Sequence, residues 1–138
     1  MDMSLKGKNA LVCGSSSGIG KASAIELSRL GANVTLLARN ADSLAEALMQ
    51  LHHEAGQEHD FIIADTTQHA DLHQKIVGLV TQKKIHILVN NTGGPPAGPI
   101  IDAGIDAFRQ AFEQHLMANH LIAQLVVPGM KAEHYGRI

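Results

Sequence analysis

Short apolar runs alternate four times with segments of helical periodicity, and this alternation is the feature that most constrains the fold. The runs are typical of strands buried on both faces of a parallel sheet, and they lie at 9–13, 33–38, 60–65 and 85–90. Repeated strand–helix alternation favours right-handed crossovers with helices on both faces of the sheet. The sequence therefore predicts an α/β fold built on a doubly wound parallel sheet.

The segments between and after these runs carry apolar residues at helical spacing. Gly31 is placed to cap the end of the first helix, and Asp42 is placed to cap the start of the second. Three of the four prolines fall in 93–99, which predicts a loop, and Pro128-Gly129 predicts the end of the last helix. The predicted helices are 18–30, 42–56, one striped by Leu72, Ile76, Leu79 and Val80, and a long one from Ile105 to about Val127.

Length and composition exclude several classes of protein. The 138 residues predict one domain, 1–138, and 45% apolar with 17% charged residues is typical of a globular protein. A formal charge of −2, spread evenly, argues against a nucleic-acid partner. No run reaches the roughly 20 apolar residues that span a bilayer, and the N-terminal residues lack the apolar core of a signal peptide. We expect a cytoplasmic protein with no membrane partner.

A glycine-rich segment connects the first strand to the first helix and predicts a phosphate site. Gly14 permits a sharp turn, Gly18 lets backbone approach a ligand, and Gly20 lets the helix pack closely on the sheet. The N-terminus of the following helix presents N–H groups and a positive dipole to an anion. The serine hydroxyls add donors, so the predicted pyrophosphate-binding set is Gly14, Ser15, Ser16, Ser17, Gly18, Ile19 and Gly20.

Arg39, at the end of the second predicted strand, bears on the choice of dinucleotide. An acidic residue at this place would bond the ribose hydroxyls of NAD, whereas arginine pairs with a 2′-phosphate. Ala38 precedes it, so NADP(H) is favoured over NAD(H); the alternative is a solvated arginine. Asp65 and Thr66, at the end of the third predicted strand, are predicted to contact the cofactor. Asp65 is placed to accept from an adenine amino group or, alternatively, to cap a helix.

The nine histidines and the single cysteine are weaker signals. His69 and His73 have the spacing of two ligands on one helix face, but no acidic or cysteine ligand completes a zinc pattern. Cys13 lies in the first apolar run, where a small buried core residue is favoured over a nucleophile. We expect no metal site and no internal disulfide.

Four motifs in order resemble the short-chain dehydrogenase/reductase family: the loop 14–20, Asp65, Asn90-Asn91-Thr92-Gly93, and Pro128-Gly129-Met130 leading into Gly136-Arg137-Ile138. The run 90–96 is similar to a branch described as 3-oxoacyl-carrier-protein-reductase-like. The resemblance implies hydride transfer between NAD(P)H and a carbonyl or alcohol. It also implies that Asn91, Thr92 and Gly93 lie along the cofactor and that Asn90 helps to hold the central strands.

The family's catalytic serine and Tyr-x3-Lys motif are absent from this sequence. In the family they follow the fifth strand, which Gly-Arg-Ile begins, so the resemblance implies a chain corresponding to the N-terminal half, with strand order 3-2-1-4. Tyr135 precedes that strand and is not the catalytic tyrosine. His115 stands where the family has a helix asparagine, and either packs or takes part in a rearranged proton relay. We therefore predict no catalytic residue in this chain.

The same resemblance implies surfaces that lack a neighbour. The fourth strand becomes an edge, and the face of the long helix that carries Phe108, Phe112 and Leu116 is exposed. We expect a homo-oligomer through helix 105–127 or through the fourth strand. Three interpretations of function remain. They are part of an NADP(H)-dependent carbonyl reductase that is inactive alone, a non-catalytic dinucleotide-binding or interaction module, and a reductase completed by residues of another chain.

Overall fold

The computed structural model describes residues 3–94 and 97–138, which form one four-stranded parallel sheet in the order β3-β2-β1-β4. This confirms the predicted strand order. In the register of the sheet, Ala10 lies opposite Val34 on one side and opposite Ile87 on the other. The last two strands are shorter than predicted. The strands are β1 (Asn9–Cys13), β2 (Asn33–Ala38), β3 (Asp60–Ile63) and β4 (Ile87–Val89).

Helices cover both faces of this sheet, as the alternation predicts. One buried cluster joins the sheet to the first two helices through residues such as Val12, Ala24 and Leu44. The other joins it to the third and last helices through residues such as Leu72 and Ile122. The helices are α1 (Gly18–Arg29), α2 (Ala41–Leu48), α3 (His69–Gln82), α4 (Ile105–Phe112) and α5 (Ala118–Ala132).

Helix α2 differs from its predicted range at both ends. Its N-cap is Asn40, whose Oδ1 accepts from the Ser43 N–H at 2.8 Å, and Asp42 lies within the first turn. The helix ends at Leu48 because α1 holds the chain that follows. The Ser28 hydroxyl accepts from the His52 N–H at 3.0 Å, and Gln57 Nε2 donates to the Ser28 carbonyl at 2.6 Å.

The long helix also differs from its prediction. It passes through Pro128-Gly129 and ends at Ala132, although proline removes one backbone donor. Between α4 and α5 lies a π-turn (Glu113–Met117). Its backbone hydrogen bonds join residues i and i+5, whereas those of an α-helix join residues i and i+4. The predicted loop is irregular at 93–94 and 97–99, and Pro95 and Pro96 lie outside the described residues.

The edge of β4 is partly covered, which corrects the expectation of an open edge. Arg137 forms a parallel bridge with Ile87. The Leu88 N–H donates to the Arg137 carbonyl at 2.9 Å, and the Arg137 N–H donates to the His86 carbonyl at 3.0 Å. The pairing therefore begins at the amino end of β4.

The expected exposed face of the long helix is present. Phe108 is 50% exposed, Phe112 61% and Leu116 55%, and Ile101 and Ile105 nearby are also exposed. An apolar surface of this kind is unusual on a monomeric protein. None of the helices in the described ranges is long and apolar enough to cross a membrane.

Candidate functional site

The three glycines of the loop between β1 and α1 differ in what a side chain would meet at each position. Gly14 has φ +58°, and a Cβ there would lie 2.5 Å from the Asn91 carbonyl oxygen. Gly18 has φ +55°, and a Cβ there would meet nothing within 4 Å, so this backbone faces open space. A Cβ at Gly20 would overlap the Gly14 carbonyl oxygen. The loop therefore turns sharply, leaves one stretch of backbone accessible, and lets α1 approach β1 closely.

The N-terminus of α1 is open to a ligand. Ser17 is the N-cap residue, with extended backbone, and its side chain makes no capping hydrogen bond. The first N–H groups of a helix have no intrahelical acceptor, so they require a cap, water or a ligand. With the positive end of the helix dipole, these groups form a site suited to a phosphate.

Ser15 does not take part in this site, which corrects its predicted role as a phosphate donor. It is fully buried, and its hydroxyl accepts from the Leu37 N–H at 2.9 Å. Its own N–H donates to the Leu37 carbonyl at 3.3 Å. Ser15 therefore fastens the glycine loop to β2, and the hydroxyls that remain available are those of Ser16 and Ser17.

A cleft of about 300 Å³ opens at the carboxyl ends of the strands. In open parallel sheets this is the place where ligands bind. Asn91 closes one part of its floor, because its Nδ2 donates to the Gly14 carbonyl at 3.2 Å. Eight of the residues predicted to contact the cofactor line this cleft: Gly14, Ser16, Ser17, Arg39, Thr66, Asn91, Thr92 and Gly93.

The other predicted residues lie around the cleft rather than along it. Gly18 and Gly20 belong to the first turn of α1, and Ile19 there is 78% exposed. Five lining residues were missed from the sequence. Four of them lie within two residues of predicted residues at the ends of β2 and β3, whereas Gln114 comes from the π-turn, which has no local sequence signal. The missed residues are Leu37, Ala38, Asn40, Ala64 and Gln114.

Arg39 and Asp65 form the charged part of the cleft region. Arg39 is exposed at the rim, and its guanidinium makes no hydrogen bond or ion pair with the described residues. Asp65 Oδ1 accepts from the Thr67 N–H at 2.9 Å and from the Thr67 hydroxyl at 2.7 Å. The Thr67 N–H bond is the main cause that lowers the pKa of Asp65, and Arg39 contributes to the same direction. Asp65 therefore holds the turn that precedes α3, but it does not cap that helix, because the N-cap residue is Gln68 and receives no side-chain cap.

His115 contacts the cleft through Thr92. Its Nδ1 lies 2.5 Å from the Thr92 hydroxyl, which joins the π-turn to the segment after β4. Its Nε2 is buried and has no hydrogen-bond partner among the described residues, and the same holds for Oδ1 of Asn90 and of Asn119. The expected role of Asn90 in holding the strands therefore has no hydrogen bond through this oxygen to support it.

Tyr135 lies at the opposite end of the sheet from the cleft. Its ring packs against His86, with Lys8 Nζ 4.3 Å and the Arg137 guanidinium carbon 4.9 Å from its centre. Lys8 and His86 directly precede β1 and β4, so this cluster marks the amino ends of the strands. That Tyr135 is not the catalytic tyrosine stays a prediction.

Cys13 and the histidines add no further reactive centre to the cleft. Burial raises the pKa of the Cys13 thiol to about 12, so this side chain is a core residue, as predicted. His69, His73 and His120 border a separate surface cavity beside α3 and α5. Across 3–94 and 97–138, no group of three or more His, Cys, Asp or Glu side chains is arranged to hold a metal ion.

Comparison with known proteins identifies relatives for nearly the whole chain. A family model described as short chain dehydrogenase matches residues 8–138. An uncharacterised oxidoreductase of Schizosaccharomyces pombe is 32% identical over 129 residues, covering 92% of this chain and 38% of that protein. L-rhamnose 1-dehydrogenase (NADP(+)) of Thermoplasma acidophilum is 27% identical over 129 residues, covering 93% of this chain and 51% of that protein.

The fold is also similar to that of solved structures. The crystal structure of L-sorbose reductase from Gluconobacter frateurii, complexed with NADPH and L-sorbose, superposes with a TM-score of 0.86 and 34% identity. The match covers 96% of this chain and 51% of the reductase. This chain therefore spans about half, or less, of the length of the proteins that it matches.

Proposed function

Because this chain belongs to the short-chain dehydrogenase family, we propose that it binds NADP(H) in the cleft at the carboxyl ends of its strands. The observation that carries the proposal is the uncapped N-terminus of α1, which shares that cleft with Arg39, an arginine without an ion pair among the described residues. One anion site and one cationic side chain at separate places of a single cleft suit a ligand with separate phosphate groups.

The pyrophosphate of the dinucleotide fits the loop between β1 and α1. The N–H groups of the first turn of α1 have no side-chain cap, and Ser16 and Ser17 line the cleft beside them. The open space at Gly18 allows a phosphate to approach the backbone without meeting a side chain. These residues bind and orient the ligand, and Asn91 holds the loop to the end of β4.

Arg39 favours the 2′-phosphate of NADP(H) over the free ribose hydroxyls of NAD(H). It follows the end of β2, on the adenosine side of such a site, and the residue directly before it is not acidic. Two similar proteins bear the same cofactor in their descriptions, NADPH in the sorbose reductase complex and NADP(+) in the rhamnose dehydrogenase. These likenesses support NADP(H) here.

For the whole protein we propose reversible hydride transfer between NADP(H) and a carbonyl or alcohol, with a 3-oxoacyl thioester as the candidate substrate class. NADPH supplies the hydride in such a reaction. This sequence contains no Tyr-x3-Lys motif, and Tyr135 lies at the far end of the sheet. We therefore propose that these 138 residues bind the nucleotide without turning it over. The second candidate is a non-catalytic dinucleotide-binding module, which the same cleft and the uncapped N-terminus of α1 would serve.

Fluorescence titration with NADPH and NADH tests the binding proposal. We expect NADPH to bind more tightly, and we expect Arg39→Ala to weaken NADPH about tenfold, the loss of one charge-assisted contact, with little effect on NADH. Arg29→Ala is the matched control, because Arg29 is exposed on α1 and pairs with Glu26 alone in the part of the chain that the structure describes. Equal affinities of wild type and Arg39→Ala for NADPH would contradict the assignment.

Oxidation of NADPH with an acetoacetyl thioester separates the two candidate functions. We expect no turnover by these residues alone and turnover by the whole protein if it is a reductase. A whole protein that binds NADPH but oxidises none of it with carbonyl substrates supports the non-catalytic module. Turnover restored by adding a separate chain would instead support a reductase completed in trans.

We further propose that the exposed apolar face of α4 and the π-turn binds a second copy of this chain. Phe108, Phe112 and Leu116 supply large apolar side chains on successive turns of one helix. Burial of such surface is the main favourable term in protein association.

A further inference from the structure

The π-turn borders the candidate nucleotide cleft, and one of its side chains lines the cleft. Gln114 lines the cleft directly, and its Nε2 would lie 3.8 Å from a Cβ on Gly93. The next residue, His115, is bonded through Nδ1 to the Thr92 hydroxyl. Since Thr92 lines the cleft between Asn91 and Gly93, this bond joins the helix to the wall of the site.

A second imidazole holds the same turn from the other side. His69, the first residue of α3, has Nε2 3.1 Å from the carbonyl oxygen of Glu113. That carbonyl also accepts from the Ala118 N–H, the i to i+5 bond that defines the turn. The turn therefore has one contact to α3 and one to the segment after β4, and its position is fixed relative to both.

The contact between His115 and Thr92 engages one ring nitrogen. The other nitrogen, Nε2, is buried without a partner in the described part of the chain. A buried polar atom without a hydrogen bond costs free energy. The contact of this imidazole that can affect the site is therefore the one between Nδ1 and the Thr92 hydroxyl.

We propose that His115 is a positioning residue for the nicotinamide half of the dinucleotide, acting through Thr92. The inference rests on the proposed function, in which Arg39 marks the adenosine end of the cleft. Thr92 and Gly93 then line the part away from that end. His115 holds the Thr92 hydroxyl and the backbone around it in one orientation, and loss of the bond loosens the wall of the cleft there.

Nucleotide affinity of single and double variants tests this role. We expect His115→Leu and Thr92→Val each to weaken NADPH about three- to tenfold, the range for loss of one hydrogen bond. We expect the double variant to lose no more than either single one, because both remove the same contact. His115→Asn and Thr92→Ser keep a polar atom near the bonding position and should retain affinity. His120→Leu, on exposed α5 surface away from the cleft, is the matched control.

A second ligand distinguishes positioning from a general structural effect. 2′,5′-ADP carries the adenosine half and the 2′-phosphate but lacks nicotinamide. We expect His115→Leu to leave its affinity unchanged while NADPH weakens, whereas equal loss of both ligands would overturn the positioning role. Thr92→Val gives the same test if His115→Leu fails to fold.

The outcomes for the two proposals differ. Wild-type protein that binds no NADPH overturns the proposed function, and the positioning role with it. Wild type and His115→Leu of equal NADPH affinity overturn the positioning role alone. Losses of the two single variants that multiply in the double variant would also overturn it, because they would show that the residues act separately.

Discussion

At the scale of single residues, close packing and not turn geometry makes Gly20 indispensable. A Cβ at this position would overlap the backbone carbonyl of Gly14 and lie 2.7 Å from Asn91 Nδ2. Gly14 directly follows β1, so its backbone cannot move far without disturbing the sheet. A methyl group at Gly20 must therefore strain the junction that carries the candidate site.

We expect Gly20→Ala to lower the free energy of unfolding by about 1–3 kcal/mol, the usual cost of overpacking. Gly78→Ala is the matched control, because Gly78 lies inside α3 with nothing within 4 Å of its would-be Cβ. That change should raise the stability by about 0.5–1 kcal/mol through helix propensity. Urea unfolding measures both, and a shift of the same sign in the two variants would contradict the packing argument.

Some residues of the site were predictable from the sequence, and others were not. Gly14, Gly18 and Gly20 were predictable because their spacing between a strand and a helix implies distinct steric roles. The role of Ser15 was not, since only the fold brings the Leu37 backbone to its hydroxyl. Gln114 was missed for a similar reason, because no local pattern marks a π-turn.

At the scale of elements, two histidines serve as side-chain acceptors at the amino ends of neighbouring strands. His86 Nδ1 accepts from the Asn9 N–H at 2.9 Å, next to the start of β1. His59 Nδ1 accepts from the Val34 N–H of β2 at 3.0 Å, while its Nε2 donates to the His52 carbonyl at 2.9 Å. Only an unprotonated Nδ1 accepts a hydrogen bond, so both contacts depend on neutral rings.

These contacts predict a loss of stability in mild acid. Burial is the main cause that lowers the pKa of His59 and of His86 below the ordinary value of 6.5. For His86 the charge of Lys8 acts in the same direction. The unfolded chain then binds protons first, so the stabilisation is complete above about pH 6.5 and is lost as the pH falls towards the lower folded values.

Urea midpoints measured between pH 7.5 and 5 check this prediction. We expect His59→Gln and His86→Gln, whose amide oxygens accept without titrating, each to reduce the pH dependence. His73→Gln, exposed on α3, is the control and should leave it unchanged. Asp65 also has a lowered pKa, but its stabilisation is lost only as pH falls below about 3.8, outside this window. A wild-type midpoint constant down to pH 5 would contradict the prediction.

Elements with strong local patterns were predictable, and their ends were less so. The apolar runs of β1 and β2 were identified to the residue, because strands buried on both faces need continuous apolar sequence. The predicted end of α2 was wrong, because hydrogen bonds from His52 and Gln57 to Ser28 hold the chain after Leu48 in a non-helical path. Pro128 did not end the last helix, where Val126 and Met130 are buried on either side of it.

At the scale of the whole molecule, the exposed face of α4 predicts self-association. Light scattering of wild type should show a dimer or larger species at high micromolar concentration. Phe112→Ser, which removes a ring that is 61% exposed, should shift the equilibrium towards monomer, and its unfolding midpoint should equal that of wild type at low concentration, where both are monomers. Met49→Ser changes another large, exposed apolar side chain on a different surface and serves as the control. A stable wild-type monomer at that concentration would contradict the prediction.

The π-turn also sets how far α4 is rotated about the helix axis relative to α5. An α-helix rotates by about 100° per residue, so one surplus residue turns everything on one side of it relative to the other. Ile122 and Val126 anchor α5 in the core. The extra residue in the π-turn therefore decides which face of α4 is exposed. Deleting one residue from 113–117 would swing Phe108 and Phe112 by about a quarter turn around the axis. A single extra residue in the π-turn thus determines the side of the molecule on which the large apolar side chains of α4 are exposed.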